Sequence, residues 1–291
     1  MKKIFFCICL IILFSNISSN KFTTQTSLPQ NLIVDFHENM KHNKYYKISV
    51  AEKDKNWKLV KALYEEHIVK NPKYSEKSRI PKIIHQIWLG GNGKLPKKYH
   101  SLQKTWIDNH PDWEYMLWTE KEIEELGLIN KKLFDETDNY GAKSDIARYE
   151  ILYKIGGLYV DTDFECLRSL EIFNHLCDFY AGIVYNAQTQ INNGLIGSIP
   201  GHPILKLCID NLKPKEGDKD DNIPKRTGPW HLTRNFILEV EKWNGPCVAF
   251  PVGFFYPWPH YHRHQNRLSQ IRKWIKPETY AIHHWHVAWN K

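Results

Sequence analysis

Two aspartates one residue apart, Asp161 and Asp163, close the apolar stretch GGLYVDTDFECL at residues 156–167. Side chains alternate across a strand, so residues two apart point the same way and the two carboxylates converge. Convergence of two anions is costly unless a cation lies between them, and a hard Mg²⁺ or Mn²⁺ that also binds a diphosphate meets that need. The alternative is an exposed turn carrying two solvated acids, because D-x-D alone is common by chance. The preceding helix adds to the pattern. Asp145 and Arg148 are three apart and share one helix face, with Ile146, Ile151, Leu152 and Ile155 available for the buried one. A strand following Gly156 and Gly157 returns alongside that helix and brings Asp145, Arg148 and Tyr159 toward the aspartates. Read without that return, Asp145 and Arg148 are a surface ion pair worth less than about 1 kcal/mol.

The elements that must position these residues alternate. KIIHQIWLG (82–90) reads as a strand ending in glycines, PKKYHSLQKTWIDNH (96–110) as a helix and EYMLWT (114–119) as a second strand. TEKEIEELG (119–127) is a helix capped by Thr119 and stopped by Gly127. AKSDIARYEILYKIGG (142–157) is an amphipathic helix closed by glycines, and LYVDTDF follows as a strand. DFYAGIVY (178–185) and GLIGSI (194–199) read as strands, HPILKLCIDNL (202–212) and WHLTRNFILEVEKW (230–243) as helices. This alternation predicts an α/β domain with a mostly parallel sheet and helices on both faces. Ligands in such sheets bind at the carboxyl ends of the strands, where strand order reverses. Asp161 and Asp163 fall on that rim.

Ahead of this domain, residues 1–20 combine Lys2 and Lys3, an apolar run from Ile4 to Phe14 and small polar residues. That is the layout of a signal peptide, or of a short signal anchor giving membrane association. Residues 21–79 read as a polar stem with one amphipathic helix, in which Trp57, Val60, Leu63, Tyr64 and Ile68 recur at helical spacing. Residues 80–291 form the main domain. With 42% hydrophobic and 13% aromatic residues, the 291-residue chain buries a substantial core and is not disordered. The net charge of +8 is diffuse, which suits an anionic ligand such as a nucleoside diphosphate and equally a solvated surface, and gives no sign of a nucleic-acid partner. Cys166, Cys177, Cys208 and Cys247 have irregular spacing without C-x-x-C, leaving buried thiols or two disulfides open and metal ligation disfavoured.

IPKIIHQIWLGG, NHPDWEYMLW, AKSDIARYEILYKIGGLYVDTDFECL, NGLIGSIPGHPIL, RTGPWHLT and AIHHWHVAWN together resemble the DXD-containing glycosyltransferases of family 32, over residues 80–291. The spacing of Asp, Arg, Tyr and D-x-D also resembles the glucosyltransferase domain of the large clostridial toxins. The resemblance implies a GT-A fold, a GDP- or UDP-hexose donor, Mn²⁺ or Mg²⁺, transfer to a glycan or glycolipid acceptor, and retention of anomeric configuration. It implies that Asp161 faces donor sugar or ribose and that Asp163 ligates the metal. Asp145 and Arg148 would hold sugar hydroxyls and phosphate, Tyr159 would support the pyrophosphate, Trp88 would stack on the base, and Asn193 with Gly194 would lie beside the sugar. Thr227, Gly228 and Pro229 match the family's TGP loop.

At the carboxyl terminus the resemblance implies that His283 completes the metal shell and that Trp289 closes over the donor. Ala288 stands where a serine is usual, so a hydroxyl ligand is lost there. HYHRH (260–264) reads as a polar loop or one strand face rather than as a zinc site. Two other classes fit parts of the pattern: a sugar-binding protein on a degenerate transferase fold, and a haloacid-dehalogenase-type phosphatase. The second expects Thr or Val where Glu165 stands. A transferase needs nucleotide sugar, which points to the secretory pathway in a eukaryote and to a membrane-anchored cytoplasmic face in a bacterium.

Overall fold

The structure, a computed structural model, describes residues 28–41, 44–185, 188–214, 222–265 and 268–286. The apolar segment at residues 1–20, Ala288 and Trp289 lie outside the described residues. Among the described residues no helix is long and apolar enough to cross a membrane.

Six strands make the main sheet, in the order β2-β1-β3-β6-β5-β7. In chain order β1 is Ile83–Ile87, β2 Glu114–Trp118, β3 Gly157–Val160, β4 Phe164–Cys166, β5 Phe179–Tyr185, β6 Thr189–Ser198, β7 Cys247–Phe250 and β8 Ala281–His283. β1 pairs in parallel with both β2 and β3, and β5 pairs in parallel with β7, whereas β6 runs antiparallel to β3 and β5. β4 and β8 form a separate two-stranded sheet, with Phe164 opposite His283. Local chemistry explains the connections. Thr119 and Glu122 form a capping box at the start of the helix Glu120–Leu126, and Gly127 ends it at φ +68°. After the helix Tyr140–Ile155, Gly156 and Gly157 both have positive φ. A Cβ at Gly157 would lie 2.7 Å from the Ile83 carbonyl, so only glycine lets β3 start flush against β1.

The helix Lys55–Tyr64 starts at Asp54, whose carboxylate accepts from the Asn56 and Trp57 amides. It continues as a π-helical turn, Glu65–Lys70, and buries Trp57, Val60, Tyr64 and Ile68. The Tyr64 ring lies 6.0 Å from Phe250 of β7, and its hydroxyl donates to the Leu32 carbonyl at 2.9 Å. Residues from Leu32 to Ile68 therefore share one core with the sheet. The four cysteines from Cys166 onward are buried and free.

Two local expectations change. The helix Tyr140–Ile155 is not amphipathic: Asp145, Arg148 and Glu150 are buried along with its apolar residues. Its polar groups are satisfied internally, Glu150 by the Ile129 and Asn130 amides. Second, the D-x-D does not lie within a strand. β3 stops at Val160, the Phe164 amide donates to the Asp161 carbonyl at 3.1 Å, and the chain turns from one sheet into the other. Period-two alternation does not apply across that turn.

Candidate active site

The turn between β3 and β4 borders a cavity of about 590 Å³ at the carboxyl ends of β1 and β3. Asp145, Arg148, Tyr159, Asp161, Asp163, Asn193, His283 and Trp88 all line it. Their positions follow from three elements: the buried helix, the turn, and the return of β8 beside β4.

Arg148 is the hub. Its Nη1 donates to the Asn193 carbonyl at 2.7 Å and lies 3.1 Å from Asp161 Oδ1, its Nη2 lies 3.2 Å from Asp145 Oδ1, and its Nε donates to the Ser144 carbonyl. The guanidinium also lies 4.3 Å from the centre of the Tyr159 ring. Tyr159 donates its hydroxyl to Asp161 Oδ1 at 2.7 Å. Asp145 accepts from Thr227 Oγ1 at 2.8 Å and from Asn193 Nδ2 at 2.7 Å. Burial pushes the Asp145 carboxyl up, against the opposing pull of Arg148. The same balance, with repulsion from Asp163 added, leaves Asp161 above the usual carboxylate range.

Asp163 goes the other way. Burial would raise it, but the nearby His283 and the His286 amide, which donates to Oδ2 at 2.7 Å, hold it below the ordinary range. His283 Nε2 lies 3.0 Å from Asp163 Oδ1 and 4.0 Å from Asp161 Oδ2. The imidazole stacks on Phe164 with centroids 4.5 Å apart. Trp285 holds φ +58°, and its indole N–H donates to the Trp258 carbonyl at 2.7 Å, which turns the His286 amide onto Asp163. Gly194 gives Asp161 its room, since a Cβ there would lie 2.6 Å from Asp161 Oδ2.

Ligand atoms of Asp161, Asp163 and His283 all lie within 4.8 Å of one another. Two carboxylates with one imidazole, their ligand atoms that close together, suit a hard to borderline divalent ion. The residues fit a metal.

Trp88 continues past β1, its amide donating to the Trp118 carbonyl at 2.9 Å. Its ring is 5.3 Å from Tyr99, and its indole N–H has no hydrogen-bond partner among the described residues. The 260–264 histidines fall in a 3-10 helical stretch, His260–Gln265, of which His260 lines the cavity. Residue spacing gave no hint of Tyr149, whose hydroxyl donates to the Thr227 carbonyl at 2.8 Å and contacts Asn193 Nδ2 at 3.2 Å. Nor did it reveal the His286 amide, since a backbone group leaves no trace in residue type.

The strand order, the helices and the cavity at the strand ends define a GT-A nucleotide-sugar transferase fold. A solved structure titled PaToxG glycosyltransferase superposes with a TM-score of 0.51 at 18% identity, covering 66% of this chain and 80% of that one. The family described as the glycosyltransferase sugar-binding region containing the DXD motif matches residues 96–181. Inositol phosphoceramide mannosyltransferase 3 of Schizosaccharomyces pombe is 38% identical over 144 residues, 48% of this chain and 39% of the relative. The glycosyltransferase L373 of Acanthamoeba polyphaga mimivirus is 32% identical over 171 residues, 57% of this chain and 67% of the relative. The mannosyl phosphorylinositol ceramide synthase SUR1 of Saccharomyces cerevisiae is 32% identical, and the match spans 39% of its length. The chain belongs to the DXD-containing glycosyltransferases, as its motifs resemble, and the phosphatase reading falls away.

Proposed function

We propose that the protein moves a hexose, mannose in the first instance, from a GDP- or UDP-sugar to a hydroxyl of a glycan or glycolipid, with Mn²⁺ or Mg²⁺ held by Asp161, Asp163 and His283. The observation that carries this is the convergence of those three side chains beside the buried Arg148, at the base of the cavity. Similarity to mannosyltransferases supports the choice of sugar. A divalent ion bound there would supply positive charge to the leaving diphosphate.

In this reading Asp163 and His283 anchor the ion and Asp161 stands between it and the sugar. Arg148 is a positioning residue. Its donors are taken up by Asn193, Asp145, Asp161 and Ser144, so it orients Asp161 and adds a fixed positive charge to a site whose diphosphate gains negative charge during transfer. Asp145 and Asn193 border the sugar, Tyr159 steadies Asp161, and Trp88 offers a ring face to the base. Trp289 is proposed to close over the donor.

The carboxylates lining the cavity among the described residues are Asp145, Asp161 and Asp163, and each is already engaged by neighbours. That favours front-face retaining transfer over a covalent glycosyl-enzyme. Mass spectrometry that finds a glycosylated Asp or Glu during turnover would overturn it. The protein would work in a compartment supplied with nucleotide sugar.

Purified protein with Mn²⁺ and a panel of UDP- and GDP-hexoses tests the function through nucleoside diphosphate release. Release from one donor, lost in Asp163→Ala and on chelation, is the expected result. Donor binding without release under every acceptor tried would favour a degenerate sugar-binding protein.

A further inference from the structure

The segment that delivers His283 is tied to the opposite end of the chain. The helix Phe36–Met40 packs on the helix Val252–Phe255, which in turn packs on β8. Asn39 sits at that contact and is buried. Its side-chain amide donates to Glu278 Oε1 at 2.7 Å and accepts from the Gly253 amide at 2.7 Å. A Cβ at Gly253 would lie 2.5 Å from Asn39 Nδ2, so glycine is what admits the side chain this closely. Earlier in the same segment, Asn31 Nδ2 donates to the Pro277 carbonyl at 3.1 Å.

These contacts fall on the chain just before β8 and hand over to it without a gap. Thr279 donates its hydroxyl to the Gly253 carbonyl at 2.9 Å, and the Tyr280 amide donates to the Phe254 carbonyl at 2.8 Å. Ala281 to His283 then pair with Cys166 to Phe164. A two-stranded ribbon of three residues a strand is marginal by itself, so its placement depends on anchors outside the ladder. We propose that Asn39 is a positioning residue for the metal centre. Through Glu278 and Gly253 it fixes the entry of β8, and with it the reach of the His283 imidazole toward Asp161 and Asp163. The inference rests on the metal reading above and extends the centre to residues 31–39, ahead of the family match at residues 96–181. A segment whose sequence reads as a stem then sets the geometry of the site.

Reversing the polarity of the pair in the full chain isolates this role. Asn39→Asp alone sets two buried carboxylates against each other. Adding Glu278→Gln returns the pair to its native charge and lets both bonds form again, with the new amide as donor and the Gly253 amide still donating. In Asn39→Asp, Mn²⁺ affinity read by electron paramagnetic resonance should fall about tenfold, the lower end for lost support at a metal site. Amide hydrogen exchange across Ala281–His283 should quicken in the same variant. The double variant should recover both. Ile68→Ala leaves a void in the core of the same amino-terminal segment, away from these bonds, and should keep both. Asn39→Ser removes the reach to Glu278 without adding charge, and reads the same losses should Asn39→Asp not fold. Affinity and exchange left unchanged by the Asn39 substitutions overturn the proposal. Losses that the double variant does not recover, or equal losses in Ile68→Ala, overturn it too, since they would mark a general softening of the fold. A wild-type protein that takes up no Mn²⁺ would strike the metal reading, while exchange at β8 still decides whether Asn39 holds that strand.

Discussion

Arg148 Nη1 lies 3.1 Å from Asp161 Oδ1, in a network where Arg148, Asp145 and Asn193 are buried and Asp161 is partly exposed. The charge of Arg148 balances both acids, of which Asp145 lies in the interior. Replacing it by methionine keeps volume but leaves both without their cation, and the loss expected for breaking a buried pair is about 3–5 kcal/mol. Urea unfolding of Arg148→Met checks this. A loss below about 1 kcal/mol, the surface-pair range, would mean that the network does not stabilise the fold.

Asp163→Asn and His283→Ala should each weaken Mn²⁺ binding at least tenfold, roughly the lower bound for losing support at a metal site, while leaving the thermal midpoint within a few degrees. Electron paramagnetic resonance titration of free Mn²⁺ reads this directly. Unchanged affinity in both variants would remove these residues from the site.

Gly194→Ala separates space from charge. The backbone there is ordinary, but the added methyl would lie 2.6 Å from Asp161 Oδ2 and 2.9 Å from Asn192 Oδ1. The expected outcome is a folded protein with reduced Mn²⁺ affinity and slowed donor turnover, seen by the same titration alongside circular dichroism. Full activity would show that Asp161 can shift without consequence.

Stability should fall as the solution is acidified below neutrality. Burial pushes the His85 and His231 imidazoles down to about 4 and that of His202 to about 3. Unfolded histidine titrates near 6.5, so between about 6.5 and 4 the unfolded chain binds more protons than the native one. The stability these groups contribute is complete above that window and is lost as pH drops through it, on the order of 3 kcal/mol for His85 alone. Urea midpoints at pH 7.5, 6 and 5 test the slope. A midpoint that stays flat would mean that the imidazoles gain protons without unfolding.

The sequence carried the fold wherever a periodic pattern met a glycine or a cap. The stretch from Ile83 to Leu126 followed its pattern closely, because Thr119 and Gly127 fix the ends of a helix by local chemistry. β7 and β8 were missed. CVAF and AIH are too short to show a period, and β8 exists only because β4 pairs with it. Asp145 and Arg148 could be nominated from spacing, but their burial could not. What buries them is Thr227 and Asn193, brought in from 82 and 48 positions away. The aspartates were found for a reason only partly right, since a turn and a histidine, not strand alternation, bring their charges together.

The six-stranded sheet is complete at Phe250, yet the third ligand of the candidate metal site arrives only with His283, 120 positions after Asp163. Synthesis thus lays down the scaffold before the centre it serves. A nascent chain that has not yet released Ala281–His283 has neither a partner for β4 nor an imidazole for the aspartates. The candidate centre can therefore assemble only once that segment has folded back onto β4. Arrested chains ending at Phe250 and at Lys291, compared for Mn²⁺ binding, would show whether the centre waits for its closing segment.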